Sequence, residues 1–320
     1  MENKVMHNLS WDNTCIVGFG GHAKDKLLPA LKRVGLNING VVSRDSRLNI
    51  DGAKTFSKIS DAIKFLPVNT LFIISSPPDI HYLQAKELAM AGKDIFIEKP
   101  AFTSIKNLNE LCNLANENGS LILEMFMYFE NQAVKQIIKI LKNDNNSINS
   151  IDLKFYIPSI PSGTFRNEST LGCSLLSDMG CYPLSLLAMA GHDLSNLNLE
   201  NVREDVGENL KFCISGKSKN ILIDIKIGIN DDYLNNIAIQ FKNNREIICE
   251  PFFYGRSGYR KLIEIEGELK NETKIFEKNA YELMFSKNRS DWIKTQKDRL
   301  NQMHIVTESL VRLGKQAGLR

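Results

Sequence analysis

The stretch Ile95-Phe96-Ile97-Glu98-Lys99-Pro100 runs three apolar, strand-forming residues straight into a carboxylate, an ammonium and a proline. An earlier apolar run, Leu71-Phe72-Ile73-Ile74, is separated from it by a helical pattern from His81 to Ala91 that Gly92 closes. Strand, helix and strand in that order form a crossover, and crossovers join parallel strands. Open parallel sheets take their ligands at the carboxyl ends of the strands. Lys99 stands just past such an end, which makes it a candidate for chemistry.

The same alternation extends to both sides. Upstream, the short apolar strand Cys15-Ile16-Val17 leads into Gly18-Phe19-Gly20-Gly21-His22-Ala23, the G-x-G-x-x-A form of a dinucleotide-binding turn. Gly18 suits the tight turn, Gly20 lets backbone approach a pyrophosphate, and the small Ala23 lets helix and strand pack closely. A helical stripe of Leu27, Leu28, Leu31 and Val34 follows and stops at Gly35, with Pro29 inside it predicting a kink or a late start. Gly40-Val41-Val42 reads as a second strand ending in Ser43-Arg44-Asp45. An arginine there suits a 2′-phosphate and a carboxylate suits a ribose hydroxyl, so Ser43 and Arg44 favour NADP while Asp45 keeps NAD open. The Leu71–Ile74 strand ends in Ser75-Ser76-Pro77-Pro78, where a nicotinamide ribose would lie, and His81 opens the next helix as a cap or a secondary contact.

Downstream, Thr103 or Ser104 can cap a helix with Leu108, Leu111 and Ala115 facing inward, closed by Gly119. Leu121–Glu124 is a further strand, followed by a stripe of Val134, Ile137, Ile138 and Leu141 and a loop from Asn143 to Ser150. Strand and helix alternating this far predict a doubly wound α/β domain. Beyond it the period changes. Ile221, Ile223, Ile225, Ile227 and Ile229 alternate with other residues, as do Ile237, Ile239 and Phe241, which marks strands with one buried face. Leu210–Ser215, Glu246–Cys249 and Leu262–Ile265 are further strands, with hairpin turns at Ser218-Lys219-Asn220 and Asn243-Asn244. From Ser290 the pattern is helical, with Trp292, Leu300, Met303, Val306, Leu310 and Leu313 inward.

The totals bound the class. At 320 residues the chain holds two domains, because single cores stop growing near ~250–300 residues. A net charge of +3 without a basic cluster gives no support to a nucleic-acid partner. No apolar run approaches the ~18 residues of a membrane span, and the polar start lacks the apolar core of a signal peptide. The 6 cysteines are scattered with no C-x-x-C pair, which disfavours a metal site and a disulfide framework and fits a cytoplasmic protein.

Taken in order, Gly18-x-Gly20-x-x-Ala23, Ser76-Pro77-x-x-x-His81, Glu98-Lys99-Pro100, Glu124-Met125-Phe126-Met127-Tyr128 and Gly172 through Asp178-Met179-Gly180-Cys181-Tyr182-Pro183 resemble the glucose–fructose oxidoreductase/inositol dehydrogenase (Gfo/Idh/MocA) family. The tyrosine version is most similar to the dihydrodiol and D-xylose dehydrogenase branch. The resemblance implies an NAD(P)-binding Rossmann domain over residues 1–127, against which the C-terminal helix packs back. It implies a substrate-binding and oligomerisation domain over 128–320, with a large, open, mostly antiparallel sheet. It also implies hydride transfer to or from a sugar or sugar derivative. Lys99, Tyr182 and Asp178 take the catalytic positions, with Tyr182 as acid/base assisted by Lys99. Lys99, Tyr128, Arg166, Asp178 and Tyr182 border the substrate. Glu98 and Lys99 join the glycine loop, Ser43, Arg44, Ser75, Ser76, Pro77 and His81 around the cofactor. The open sheet face implies a homodimer or homotetramer.

Two stretches depart from the family: Gly172-Cys173-Ser174 replaces three glycines, and Phe129-Glu130-Asn131 replaces an arginine and a His-Pro pair. The second departure moves the expectation away from a simple aldose and toward a nucleotide-sugar dehydrogenase or 3-ketosugar reductase. The family also contains non-catalytic dinucleotide-binding regulators, against which the retained Lys99, Asp178 and Tyr182 argue.

Overall fold

The computed structural model describes residues 11–45, 47–158, 175–205, 209–229 and 232–319, the side chains of 201–205 and 209–210 excepted. Two compact units divide the chain: one runs to Met125 and takes in Tyr281–Asn301, and the other comprises Phe126–Ala280 and Gln302 onward.

The first unit is built on six strands: β1 (Asn13–Val17), β2 (Asn37–Val42), β3 (Lys54–Phe56), β4 (Thr70–Ile74), β5 (Asp94–Ile97) and β6 (Ile122–Glu124). They lie in the order β3-β2-β1-β4-β5-β6, every pair parallel. All five residues of β4 are buried, the unbroken apolar strand of a sheet covered on both faces. Strand order reverses between β1 and β4, so the loops leaving them part and open a crevice at the carboxyl ends of the strands. The expected disturbance at Pro29 is present. One turn of π-helix over Ala23–Leu27 precedes α1 (Leu28–Arg33), so the wider turn accommodates the ring and the missing N–H. The connecting helices are α2 (Ile59–Phe65), α3 (His81–Met90) and α4 (Ile105–Asn118). The Ser104 hydroxyl caps α4 by accepting the Asn107 N–H at 3.4 Å, and Gly119 ends it at φ 70°.

Tyr281–Asn301 is fastened to this unit at the start of β5. Arg289 grips Asp94 with Nε at 2.7 Å and Nη2 at 3.1 Å, while Trp11 Nε1 and the Leu121 N–H donate to the same carboxylate, each at 2.8 Å. Around this, the Phe96 ring meets Trp11 and Trp292 edge-on at 5.4 and 5.6 Å. Each such aromatic pair adds about 0.5–1.5 kcal/mol beyond burial itself.

The second unit carries an eight-stranded sheet: β7 (Ile148–Ile157), β8 (Asn198–Asp205), β9 (Asn209–Ser218), β10 (Ile221–Ile229), β11 (Leu234–Phe241), β12 (Arg245–Glu250), β13 (Gly258–Glu266) and β14 (Leu269–Glu277). The order is β14-β13-β12-β11-β7-β10-β9-β8, antiparallel except for β7 with β10. Helices α5 (Gln132–Asn143) and α6 (Leu175–Met189) share one core with its inward residues, among them Ile151, Ile223, Ile225 and Ile239. The outward residues include Asp152, Lys154, Asp224 and Lys226, which pair along each strand at 3.3 and 2.7 Å.

Four strands were not anticipated. The three-residue β3 and the central β7, which begins at Ile148 inside the stretch read as a loop, were missed, and so were β8 and β14. Both are edges of the sheet. β14 has no buried alternation because most of its residues are exposed on both faces. A period of two appears only where one face is covered. The last helices are α7 (Ala280–Phe285) and α8 (Arg289–Gln316). Trp292, Met303, Val306, Leu310 and Leu313 are buried as expected, whereas Leu300 is half-buried and Arg299 takes the inward place beside it. Among the described residues, no helix is long and apolar enough to cross a membrane.

Arg289→Ala should destabilise the protein by about 2–4 kcal/mol, since it strands a largely buried carboxylate. Lys294→Ala removes only an exposed partner of Asp291 and should stay within about 0.5 kcal/mol. Urea denaturation of the two variants side by side makes the comparison.

Candidate active site

Gly18 is where the chain turns out of β1, at φ 86°. A Cβ placed on it would lie 2.7 Å from the Ser76 nitrogen and 2.8 Å from its Cα, so the loops after β1 and β4 touch only because residue 18 is glycine. The Gly18 N–H donates to Val42 O at 2.9 Å and the Ser75 N–H to Val17 O at 2.8 Å, which locks the exits of β1, β2 and β4 together. A Cβ on Gly20 would meet nothing within 4 Å. The loop therefore presents bare backbone at its crest, immediately before a helix whose first N–H groups have no helical partners. Those features fit a diphosphate, and they sit at the reversal of strand order where a dinucleotide is held in such sheets.

The segment after β5 is held at four points within the first unit. Glu98, 7% exposed, accepts from Tyr281 Oη at 2.9 Å and lies 2.8 Å from His22 Nε2, which is itself 2.9 Å from the tyrosine oxygen. The Lys99 N–H donates to Glu98 Oε2 at 3.3 Å. The Ala101 N–H donates to Glu124 Oε1 at 2.8 Å. The His81 ring lies between two carbonyls, with Nε2 2.8 Å from Ser76 O and Nδ1 3.3 Å from Ala101 O. Burial holds the His81 imidazole below its usual range, against the pull of those carbonyls, so a neutral ring donating from Nε2 over the shorter contact is favoured. His81 thereby anchors to the β4 exit and lies against the β5 exit, a supporting position more than a contact surface.

Burial alone would push the Glu98 carboxyl up. The His22 charge, the hydrogen bonds from His22 and Tyr281 and the Lys99 charge outweigh it and hold the group below its ordinary value. A fixed carboxylate therefore stands at the end of β5, beside a half-buried Lys99.

At the end of β2, Ser43 donates its N–H to Phe56 O at 3.0 Å and its hydroxyl accepts the Asp45 N–H at 3.1 Å. Asp45 is engaged by Arg47, whose backbone N–H and Nε reach its Oδ1 at 3.0 and 3.1 Å. Arg44 is exposed. The carboxylate that would hold a ribose hydroxyl is thus partly spent on a guanidinium.

In the second unit, Asp178 and Tyr182 lie one turn apart on α6, 3% and 8% exposed. The Tyr182 ring is packed by Phe126, Tyr128, Phe155 and Phe253 at centroid distances of 5.2 to 6.1 Å. Tyr128 has no exposed surface, and its hydroxyl donates to Tyr182 O at 3.1 Å and meets Ser185 Oγ at 2.9 Å. It braces the turn of α6 that carries Tyr182. The departing residues Phe129, Glu130 and Asn131 are buried as well. Glu130 pairs with Lys135 at 3.3 Å, and Asn131 Nδ2 donates to Tyr254 O at 2.7 Å. Arg166 and Gly172-Cys173-Ser174 lie outside the described residues.

Tyr281 and Glu124 were not singled out by the sequence reading. Tyr281 meets Glu98 across 183 positions in the chain and carries no local motif. Glu124 was read as the end of a strand and the start of a motif and given no role, although a carboxylate closing an apolar run is the same signal that drew attention to Glu98.

Residues 13–126 match the oxidoreductase family described as having an NAD-binding Rossmann fold. A dTDP-3,4-didehydro-2,6-dideoxy-alpha-D-glucose 3-reductase of Actinomadura kijaniata is 24% identical over 268 residues, 78% of each chain. The enzyme of that name from Streptomyces antibioticus is 26% identical over 120 residues, 37% of each. Among solved structures, KijD10, a 3-ketoreductase from Actinomadura kijaniata in complex with NADP and TDP-benzene, superposes with a TM-score of 0.74 at 18% identity, covering 92% of this chain and 95% of that one. An aldose-aldose oxidoreductase from Caulobacter crescentus complexed with glycerol reaches 0.76 at 14% identity, covering 95% and 98%. Over residues 13–126 the chain thus matches the Gfo/Idh/MocA oxidoreductase family model, and its parallel sheet and second, mostly antiparallel sheet give it the fold of these solved structures.

Proposed function

We propose that this oxidoreductase uses NADP to reduce the keto group of a sugar, and that its substrate is a 3-ketosugar carried on a nucleotide. The observation that carries the reading is the clamped Glu98-Lys99 turn. It sets a fixed carboxylate and a lysine at the carboxyl end of β5, in a sheet whose β1 exit presents bare glycine backbone. The named 3-reductases and the ketoreductase structure support the substrate class.

When bound, the nicotinamide cofactor supplies the hydride. Gly18 to Ala23 would hold its diphosphate, Ser75, Ser76 and Pro77 would border its ribose, and Ser43 and Arg44 would hold a 2′-phosphate. Asp45, drawn off by Arg47, competes less for that position than it would alone. The proton is the protein's task. Tyr182 Oη gives it to the developing alkoxide; a phenol with an ordinary pKa of about 10 needs a nearby cation to exchange it readily near neutrality, and Lys99 is assigned that part. Asp178, one helical turn before Tyr182, orients a substrate hydroxyl. Tyr128 supports Tyr182 from beneath and is moved in this reading from substrate contact to brace. With Phe129, Glu130 and Asn131 folded into the core, the pocket lacks the family's arginine and histidine there, which fits a substrate other than a free aldose.

The open face of the second sheet, with its rows of paired acidic and basic residues, supports assembly into a homodimer or homotetramer. Among the described residues Cys15, Cys213 and Cys249 are free thiols, in keeping with a cytoplasmic setting.

Lys99→Met and Tyr182→Phe should each lose turnover by about 10²–10⁴-fold while keeping NADPH binding, and the double variant should lose little more than either alone. Assays on a panel of nucleotide-linked 3-ketosugars and aldoses, followed by nicotinamide absorbance, decide this; full activity in both single variants removes the assignment. Arg44→Ala should weaken NADPH binding by about 10–100-fold and leave NADH nearly unchanged, the loss of one charge-assisted phosphate contact. Fluorescence titration with the two cofactors reads the difference. Light scattering after gel filtration should give a dimer or larger, and a clean monomer peak would end that part of the proposal.

A further inference from the structure

Glu124 has so far appeared only as an anchor. It closes β6 directly opposite Ile97, the last residue of β5, and is 5% exposed. One oxygen, Oε1, accepts the Ala101 N–H across the exit of β5. The other, Oε2, is fully buried and has no hydrogen-bond partner among the described residues. A buried oxygen left without a donor is costly, and costlier still when it carries charge. The charged groups that face it are Lys99 and Glu98 from the segment after β5 and Arg299 from α8. Burial drives its carboxyl upward to about 7, with the Glu98 charge in support and the Ala101 N–H, Lys99 and Arg299 opposed. Two carboxyls thus flank Lys99 in opposite conditions: Glu98 held ionised by three partners, Glu124 poised to gain or lose a proton. Divergence of that kind between neighbours separates groups with different tasks.

We propose that Glu124 is a positioning residue for Lys99, a buried carboxyl that anchors the turn through Ala101 and, by its change of charge, sets the hold on the Lys99 ammonium. The proposal rests on the reading of Lys99 as part of the reacting site. Its physical basis is reciprocity. If the Lys99 charge favours ionised Glu124, then ionised Glu124 favours charged Lys99 by the same amount. Inside a unit from which water is largely excluded the effect is far stronger than between exposed groups. With Glu124 ionised, the ammonium is held more firmly than with Glu124 protonated. The proton exchanges with solvent, so no co-reactant is needed.

The test compares Glu124→Gln, which keeps an acceptor for Ala101 but cannot ionise, with Glu124→Ala, which loses both. Lys99 in the intact protein is labelled with acetic anhydride between pH 6 and 9 and quantified by mass spectrometry. Wild type should show an inflection near pH 7. Glu124→Gln should lose that inflection and label Lys99 several-fold faster at neutral pH, with NADPH affinity unchanged. In turnover it should lose the limb near pH 7 in kcat and leave KM for NADPH in place. A purely structural role would leave Glu124→Gln like wild type in labelling and pH profile and damage only Glu124→Ala, and that result overturns the proposal.

Thermal melts supply a second measurement. A carboxyl raised on folding contributes its full stability below its unfolded value and loses it as the pH climbs to the folded one, between about 4.5 and 7. The melting temperature of wild type should therefore fall relative to Glu124→Gln between pH 5 and 8. In Lys99→Met the fall should be larger, because ionised Glu124 has lost a cation. Wild type and Lys99→Met curves that run parallel would overturn the proposal even if Glu124→Gln did not fold. If Lys99→Met keeps full turnover, the reacting-site reading fails, and the labelling result still decides whether Glu124 holds Lys99.

Discussion

A carboxylate kept charged in a nearly dry position is the constraint on which the first unit turns. Glu98 follows the three buried residues that end β5, and burial by itself would strip it of its charge. It stays ionised because His22 comes from the helix start after the glycine loop and Tyr281 from the returning segment near the C-terminus. Three distant parts of the chain must fold together before that charge is tolerable. Once they have, the glycine loop, the β5 exit and the returning segment hold one register. The same segment is fastened a second time at Asp94, at the other end of β5, by Arg289 and the aromatic rings around Phe96. A single short strand is thus pinned at both ends by residues nearly two hundred positions away.

That double fastening explains why the turn after β5 can present a lysine without drifting. Side-chain precision in a site comes from the groups behind it. Here the backbone N–H groups on either side of Pro100 have named partners: the Lys99 N–H on Glu98 and the Ala101 N–H on Glu124. The exits of β1 and β4 are locked in turn by the contact that only a glycine at position 18 permits. The glycine loop and the turn that carries Lys99 are therefore parts of one hydrogen-bonded frame.

The second unit solves a different problem. The Tyr182 ring is buried on α6, and Phe126, Tyr128, Phe155 and Phe253 fix its position by packing around it. The residues that depart from the family at 129–131 have joined the same core, with Glu130 neutralised by Lys135 and Asn131 bonded to the Tyr254 carbonyl. A change that reads in the sequence as altered specificity is, in the structure, first a change of packing.

Local chemistry carried much of this into the sequence. Five of the six parallel strands, the glycine loop, the kink before Pro29 and the alternating strands of the second sheet depend on short-range periodicity and on residues whose backbone preferences are strong, whereas the three residues of β3 are too few to show a pattern. So does the position of Lys99 at a strand end. β14 left no trace because an edge strand exposed on both faces has no pattern to show, and β7 was missed altogether beside the turn-rich stretch that precedes it. The roles of Tyr281 and Arg289, the commitment of His81 to two carbonyls, the burial of Tyr128 and the proton-holding environment of Glu124 were decided only by tertiary structure. Each depends on how much water a group loses and which charges it meets, and those are set by residues that are neighbours in space and strangers in sequence.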